Sequence, residues 1–208
     1  QTICSRAAKQ FSKLGATVEE AQPGFPNPEI HVGTIFGADG MEALSVLGPV
    51  DQIIDKLAPL TSAVLFVSGD LKATDYARTM FAKQELTIKM GKFFQTYDLL
   101  LTPTLPTPPL PVEFDDPIGF LKWVTFLFPF NLTGQPAASI PAGWTDDGLP
   151  VGLQIVGKPY DEITVLQAAA AFEAAHPWAH RKPPLDSLTA RIERVLFYYI
   201  ELGISDAS

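Results

Sequence analysis

Few residues in this 208-residue chain have the type and spacing for covalent or acid–base chemistry. The histidines are three, His31, His176 and His180. His176 and His180 stand four apart, which would put two imidazoles on one helical face. Pro177 breaks such a helix, and no thiol or carboxylate cluster completes a metal site. Asp115 and Asp116 form a carboxylate pair, but adjacent side chains point apart, so a solvated loop is the better reading than acid catalysis. A serine nucleophile needs a base and an orienting partner, and no G-x-S-x-G supplies the usual elbow. Neither phosphate-binding glycine motif is present, G-x-G-x-x-G or G-x-x-x-x-G-K-[ST]. Cys4, the single cysteine, has no histidine close by in sequence and reads as a small buried hydrophobe. Asn131-Leu132-Thr133 matches a glycosylation sequon, yet it lies among apolar residues and secretion is not expected, so the sequon is rejected.

The elements that would position any site are clearer. Hydrophobic residues make up 47% and charged residues 18%, which predicts a buried core and excludes disorder. The formal charge of −8 argues against nucleic acid or an anionic membrane as a partner. One cysteine excludes an internal disulfide framework and fits a reducing compartment, the cytoplasm. No run of 18 apolar residues suggests a membrane span. The first residue is Gln1 and it opens directly into a helical pattern, so a fragment is expected.

Ile3, Ala7, Phe11 and Leu14 are spaced for a helix over 1–14, capped by Gly15. Residues 16–23 then read as a short strand, 22–34 as a proline loop, and 35–47 as a helix. Pro49 starts another, with Asp51, Ile53, Ile54, Leu57 and Leu60 on one face. A long helix is predicted over 70–96, with Tyr76, Met80, Phe81, Ile88 and Phe93 as its packing stripe. Residues 97–103 read as a buried strand. Of 19 prolines in the chain, many cluster at 103–117, which marks one rigid loop. The aromatic block 119–132 is either a core helix ended by Pro129 or the wall of an apolar pocket. Two β-rich runs around Asp146-Asp147-Gly148 predict a hairpin. Residues 161–175 form a helix with acids in its first turn, stopped by Pro177. A last amphipathic helix is predicted over 186–202.

Three blocks carry a family resemblance: YDLLLTPTLPTPP (97–109), PFNLTGQPAASIPAGWTDDGLPVGLQIVGKPYDE (129–162) and AAAFEAAHPWAHRKPP (169–184). Together they resemble the C-terminal portion of an amidase-signature hydrolase. The resemblance implies an α/β fold, a mixed sheet flanked by helices on both sides, present here as a C-terminal fragment. It implies residues 1–184 as the C-terminal part of that domain and 185–208 as an extra helix or tail. It also implies hydrolysis of a carboxylic amide through an acyl-enzyme, without metal or cofactor. Family catalysis uses a Ser–cis-Ser–Lys triad and a glycine-serine-rich oxyanion loop. Those segments belong to the family's N-terminal half and have no counterpart here, so no catalytic residue is expected in this chain. None of Lys56, Lys72, Lys83, Lys89 or Lys92 inherits the lysine's role.

The expected contribution is therefore scaffold and pocket wall. Trp123, Phe126, Leu127 and Phe130 precede the Asn-Leu-Thr-Gly turn where relatives line the acyl pocket, and plain core packing is the alternative. Asn131 is read as a hydrogen-bonding partner of neighbouring backbone, or else as a substrate contact. Relatives that act on tRNA-linked glutamate carry an aspartate seven residues before the matching asparagine. Val124 stands there, which points away from glutamine as donor and towards an uncharged, hydrophobic or aryl amide. The expected partners are a small-molecule amide and the N-terminal half of the same enzyme, with self-association through exposed strand edges as a further expectation. A non-catalytic binding module built on the same fold is the competing reading.

Overall fold

A computed structural model describes residues 2–57, 61–62, 65, 70–114 and 116–182. It divides into two compact units, Gln1–Ala175 and His176–Ser208. Both the expected boundary at 184/185 and the expected helix over 186–202 lie outside the described residues.

The first unit is built on a three-stranded antiparallel sheet of order β1-β3-β2. Strand β1 is Leu99–Pro103, β2 is Ala137–Trp144 and β3 is Pro150–Gly157. The hairpin forms where the Asp-Asp-Gly turn predicts it. Gly148 takes a φ of +81°, and Thr145 closes the turn by accepting Leu149 N–H on its hydroxyl at 3.0 Å. A register shift between Pro141 and Gly143 bends β2 away at its far end. β1 then adds to the other side of β3, with Leu99 opposite Gly157 and Pro103 opposite Leu153.

Alternation along β3 assigns its two faces. Leu153 and Ile155 point one way, where helix α1 (Thr2–Lys13) and helix α7 (Glu162–Ala175) cover the sheet. Phe11 and Phe172 stack between those helices with ring centroids 5.3 Å apart. Val156 points the other way, into a cluster of Leu86, Met90, Phe93, Phe94, Phe130 and Leu132. That second layer comes from helix α4 (Ala73–Phe93) and helix α6 (Phe128–Thr133). Helices on both faces are the α/β arrangement the sequence implies, and within the described residues the sheet is antiparallel.

Several local expectations change. Residues 16–23 are coil, because no described strand lies alongside to pair with their backbone. Helix α2 runs Glu29–Ser45, starting earlier than residue 35. Asn27 Oδ1 accepts Glu29 N–H at 3.1 Å, so an Asx turn and Pro28 launch the helix where the prolines alone suggest a loop. After Pro49 only a short helix forms, α3 (Val50–Ile53), continued by one 3-10 turn, Ile54–Lys56. Leu60 lies outside the described residues. Helix α4 begins at Ala73, with Lys72 N–H donating to Asp75 Oδ2 at 3.2 Å. Its buried face is Thr79, Leu86, Met90 and Phe93. Of the expected stripe, Phe93 lies on this face and Met80 is half-buried, whereas Tyr76, Phe81 and Ile88 are exposed, Phe81 at 70% and Ile88 at 51%.

Pro129 starts a helix and does not end one. The aromatic block splits into helix α5 (Pro117–Trp123), a 3-10 turn (Thr125–Leu127) and α6. Proline is tolerated in a first helical turn, where its missing N–H has no intrahelical acceptor. Gly134 ends α6 at a φ of +70°, and its N–H bonds Phe130 O at 2.8 Å. No described helix is long and apolar enough to cross a membrane.

Candidate functional site

The broken aromatic block creates a cleft of about 420 Å³. Three segments distant in sequence meet there. The loop before α2 brings Phe25, Asn27 and Pro28. The 3-10 turn and α6 bring Thr125, Phe126, Pro129 and Phe130, and the end of β1 brings Thr102 and Pro103. No charged side chain is among these residues, and the surface they present is overwhelmingly apolar.

Hydrogen bonds hold the segments in place. Thr125 Oγ1 donates to Asn27 Oδ1 at 3.5 Å, a long bond between the turn and the α2 loop. Gln154, on β3, is 4% exposed and lies behind the cleft. Its Nε2 donates to Thr102 Oγ1 at 3.2 Å and to Phe126 O at 3.4 Å. The Thr102 hydroxyl in turn donates to Pro103 O at 3.1 Å. Further along the same face of the sheet, Thr104 Oγ1 and Ser139 Oγ share a 2.7 Å bond. Gly152 makes room for that pair, as a Cβ there would meet Thr104 Oγ1 at 2.6 Å and Ser139 Oγ at 2.7 Å.

Of the residues singled out in the sequence, Phe126 and Phe130 line the cleft. Phe126 is 38% exposed, whereas Phe130 is buried and shares the α4–α6 core. Trp123 sits outside the lining, with its indole N–H on Pro108 O at 3.2 Å and its ring 6.0 Å from Phe120. Leu127 is half-buried in the 3-10 turn and Asn131 is exposed on α6; neither lines the cleft. Val124 is half-buried at the end of α5. Sequence reasoning missed Phe25, Asn27, Thr102 and Gln154. Only Gln154 leaves a trace there, as a lone amide inside the apolar run VGLQIVG.

The remaining chemically capable residues are scattered. Cys4 is buried on α1 with its thiol directed at Gly152 O, 3.5 Å away. Burial raises its pKa above the ordinary 9.0. His31 Nδ1 lies 3.1 Å from Thr79 Oγ1, between α2 and α4. A hydrogen bond to Glu19 raises the Tyr97 pKa, assisted by desolvation and by the glutamate's charge. Among the described residues, no group of three His, Cys, Asp or Glu side chains could hold a metal ion.

A sheet between two helical layers, with an uncharged cleft at its edge, defines an α/β scaffold suited to a small neutral ligand. The family model for amidases, "Amidase", matches residues 4–166, and the chain belongs to this amidase-signature family. It is 36% identical over 206 residues to a subunit of the glutamyl-tRNA(Gln) amidotransferase of Lactococcus lactis subsp. lactis, covering 86% of this chain and 42% of that protein. It is 30% identical over 195 residues to an acylamidase of Rhodococcus erythropolis, covering 89% of this chain and 40% of that protein. Among solved structures it superposes on a bacterial aryl acylamidase of the amidase-signature family with a TM-score of 0.72 and 27% identity, covering 86% of this chain and 40% of that one. The chain thus spans about 42% of the length of the curated relatives it matches.

Proposed function

We propose that this chain supplies the scaffold and one pocket wall of an amidase that cleaves the C–N bond of a neutral carboxylic amide. In this reading the serine nucleophile and the lysine base come from a segment outside the present sequence. The serine oxygen attacks the amide carbonyl as its proton passes to the base, the C–N bond breaks, and the amine leaves with that proton. Water then attacks the acyl-serine, releasing the acid and restoring the serine hydroxyl. The described residues bind and orient. Phe126, Phe130 and Phe25 cover the acyl or aryl group and exclude water, and the Thr102 and Thr125 oxygens, whose protons go to Pro103 O and Asn27 Oδ1, offer only acceptors to the ligand.

The single observation that carries the substrate class is the uncharged lining of the cleft. A carboxylate or ammonium placed against this wall would lose hydration with no opposite charge on it to compensate. Val124, where relatives using glutamine carry an acid, favours the same choice. The likenesses to an acylamidase, an aryl acylamidase and an amidotransferase subunit all fit chemistry at a C–N bond and leave the choice of substrate to the cleft. The remaining part of the enzyme is the proposed partner, and the lone buried Cys4 fits a cytoplasmic setting.

The test is an intact mass of the native species from its own cells, combined with serine-reactive fluorophosphonate labelling. The expected result is a labelled species well above 22.6 kDa that hydrolyses neutral anilides and leaves free glutamine untouched. Labelling of an isolated 22.6 kDa chain would overturn the division of labour. Efficient glutamine hydrolysis would overturn the substrate class.

A further inference from the structure

The cleft walls are not covalently near one another, so something must set the distance between them. One side is the end of β1, with Thr102 and Pro103; the other is the 3-10 turn that carries Phe126. Gln154 spans the two. Its amide nitrogen has two hydrogens and two acceptors, Thr102 Oγ1 at 3.2 Å and Phe126 O at 3.4 Å. The orientation of the amide is fixed by chemistry. A backbone carbonyl only accepts, so the atom facing Phe126 O must be the nitrogen. Thr102 passes the arrangement on, accepting from Gln154 and donating to Pro103 O at 3.1 Å. A buried amide with both hydrogens engaged makes a stiff tie, because breaking either bond strands a polar group away from water.

We infer that Gln154 is a positioning residue that fixes the width of the cleft, and thereby sets how wide an acyl group the cleft admits. The inference rests on the reading of the cleft as the substrate pocket. Gln154 does not line the cleft and acts only through Thr102, Pro103 and Phe126. Its removal therefore changes which ligands fit more than how strongly the best one binds. Gln154→Met keeps length and volume but offers no donor. Gln154→Glu keeps the shape and sets a carboxylate oxygen against the Phe126 carbonyl, which breaks the same tie electrostatically.

The test uses two neutral probes, butyranilide and its branched analogue pivalanilide, titrated against the wild-type chain and both variants. Circular dichroism confirms that each variant is folded, and amide hydrogen exchange is followed over residues 125–128. The wild type is expected to prefer butyranilide. Both variants are expected to shrink that preference by about fivefold or more, with faster exchange in the 125–128 turn. Binding that keeps its wild-type preference in both folded variants would overturn the inference, and so would unchanged exchange in the turn. Failure of either probe to bind the wild type would instead overturn the substrate-pocket reading, and the selectivity inference with it. The exchange measurement still decides whether Gln154 ties the turn to the sheet.

Discussion

Replacing Gly157 by alanine tests the packing of α7 against the sheet. Gly157 ends β3, and its N–H donates to Pro136 O at 2.9 Å. A Cβ at this position would come 2.6 Å from Val165 Cγ2, 3.3 Å from Asp161 O and 3.5 Å from Pro136 Cγ. Val165 is buried on α7, and a β-branched side chain in a helix has one strongly preferred rotamer, so it cannot swing aside. Overpacking of this kind costs about 1–3 kcal/mol. Alanine also restricts the unfolded chain relative to glycine, which offsets about 0.4–1 kcal/mol. The expected net loss is about 1–2 kcal/mol, read from urea denaturation, or roughly 2–8 °C in Tm. The decisive arm is a double-mutant cycle with Val165→Ala. Alone, that change removes buried methyls and costs about 1.5 kcal/mol or more. Combined with Gly157→Ala it opens the space the new methyl needs, so the pair should cost about 1 kcal/mol less than the sum. Additivity within about 0.3 kcal/mol would refute the close approach of β3 and α7.

Four further outcomes follow from other contacts. Asp161 Oδ1 accepts the Thr164 N–H at 3.3 Å and its hydroxyl at 2.8 Å, so Asp161→Ala should cost about 1 kcal/mol in denaturation, and Asp161→Asn much less. The Cys4 thiol has a raised pKa, so the folded state holds its proton more tightly than the unfolded state. Its contribution is present below pH 9.0 and falls away as pH rises from there through the folded-state value. Denaturation midpoints should accordingly decline above pH 9.0, and Cys4→Ala should flatten that decline. At the cleft, Phe126→Ala should weaken binding of a neutral anilide about tenfold with little loss of stability. Phe130→Ala, whose ring is 5% exposed and part of the core, should cost about 3–5 kcal/mol by denaturation.

The parts of this fold legible in sequence are those set by local signals. The Asp-Asp-Gly turn and its flanking β-rich runs place β2 and β3, and Gly15 and Pro177 bound α1 and α7. Where a residue's meaning depends on distant partners, the sequence is ambiguous. Residues 16–23 have strand composition, but a strand exists only if another chain segment receives its hydrogen bonds. On α4 the apolar residues outnumber the places the core can take. Which of them is buried depends on the approach of α2 and α6, so Phe81 stays outside while Thr79 goes in. Pro129 is compatible with a helix end or a helix start, and only the 3-10 turn before it decides. The same limit governs the cleft. Phe126 and Phe130 stand out as part of an aromatic block, whereas Asn27 meets Thr125 from 98 residues away and leaves no mark in the sequence.

The strand order also dictates a schedule for assembly. The middle strand of the sheet, β3, comes last in the chain, and the outer strand β1 comes first. Within the described sheet, β1 therefore emerges before its one partner, β3, which follows only after roughly fifty further residues are made. The β2–β3 hairpin closes locally and fast, and β1 docks onto it across a long loop. During that interval Leu99, Leu100 and Leu101 form an apolar extended segment with open backbone groups, the kind of stretch that nascent-chain chaperones bind. The proline-rich loop that follows β1 limits how far such pairing errors spread, because proline gives an incoming strand no N–H to bond.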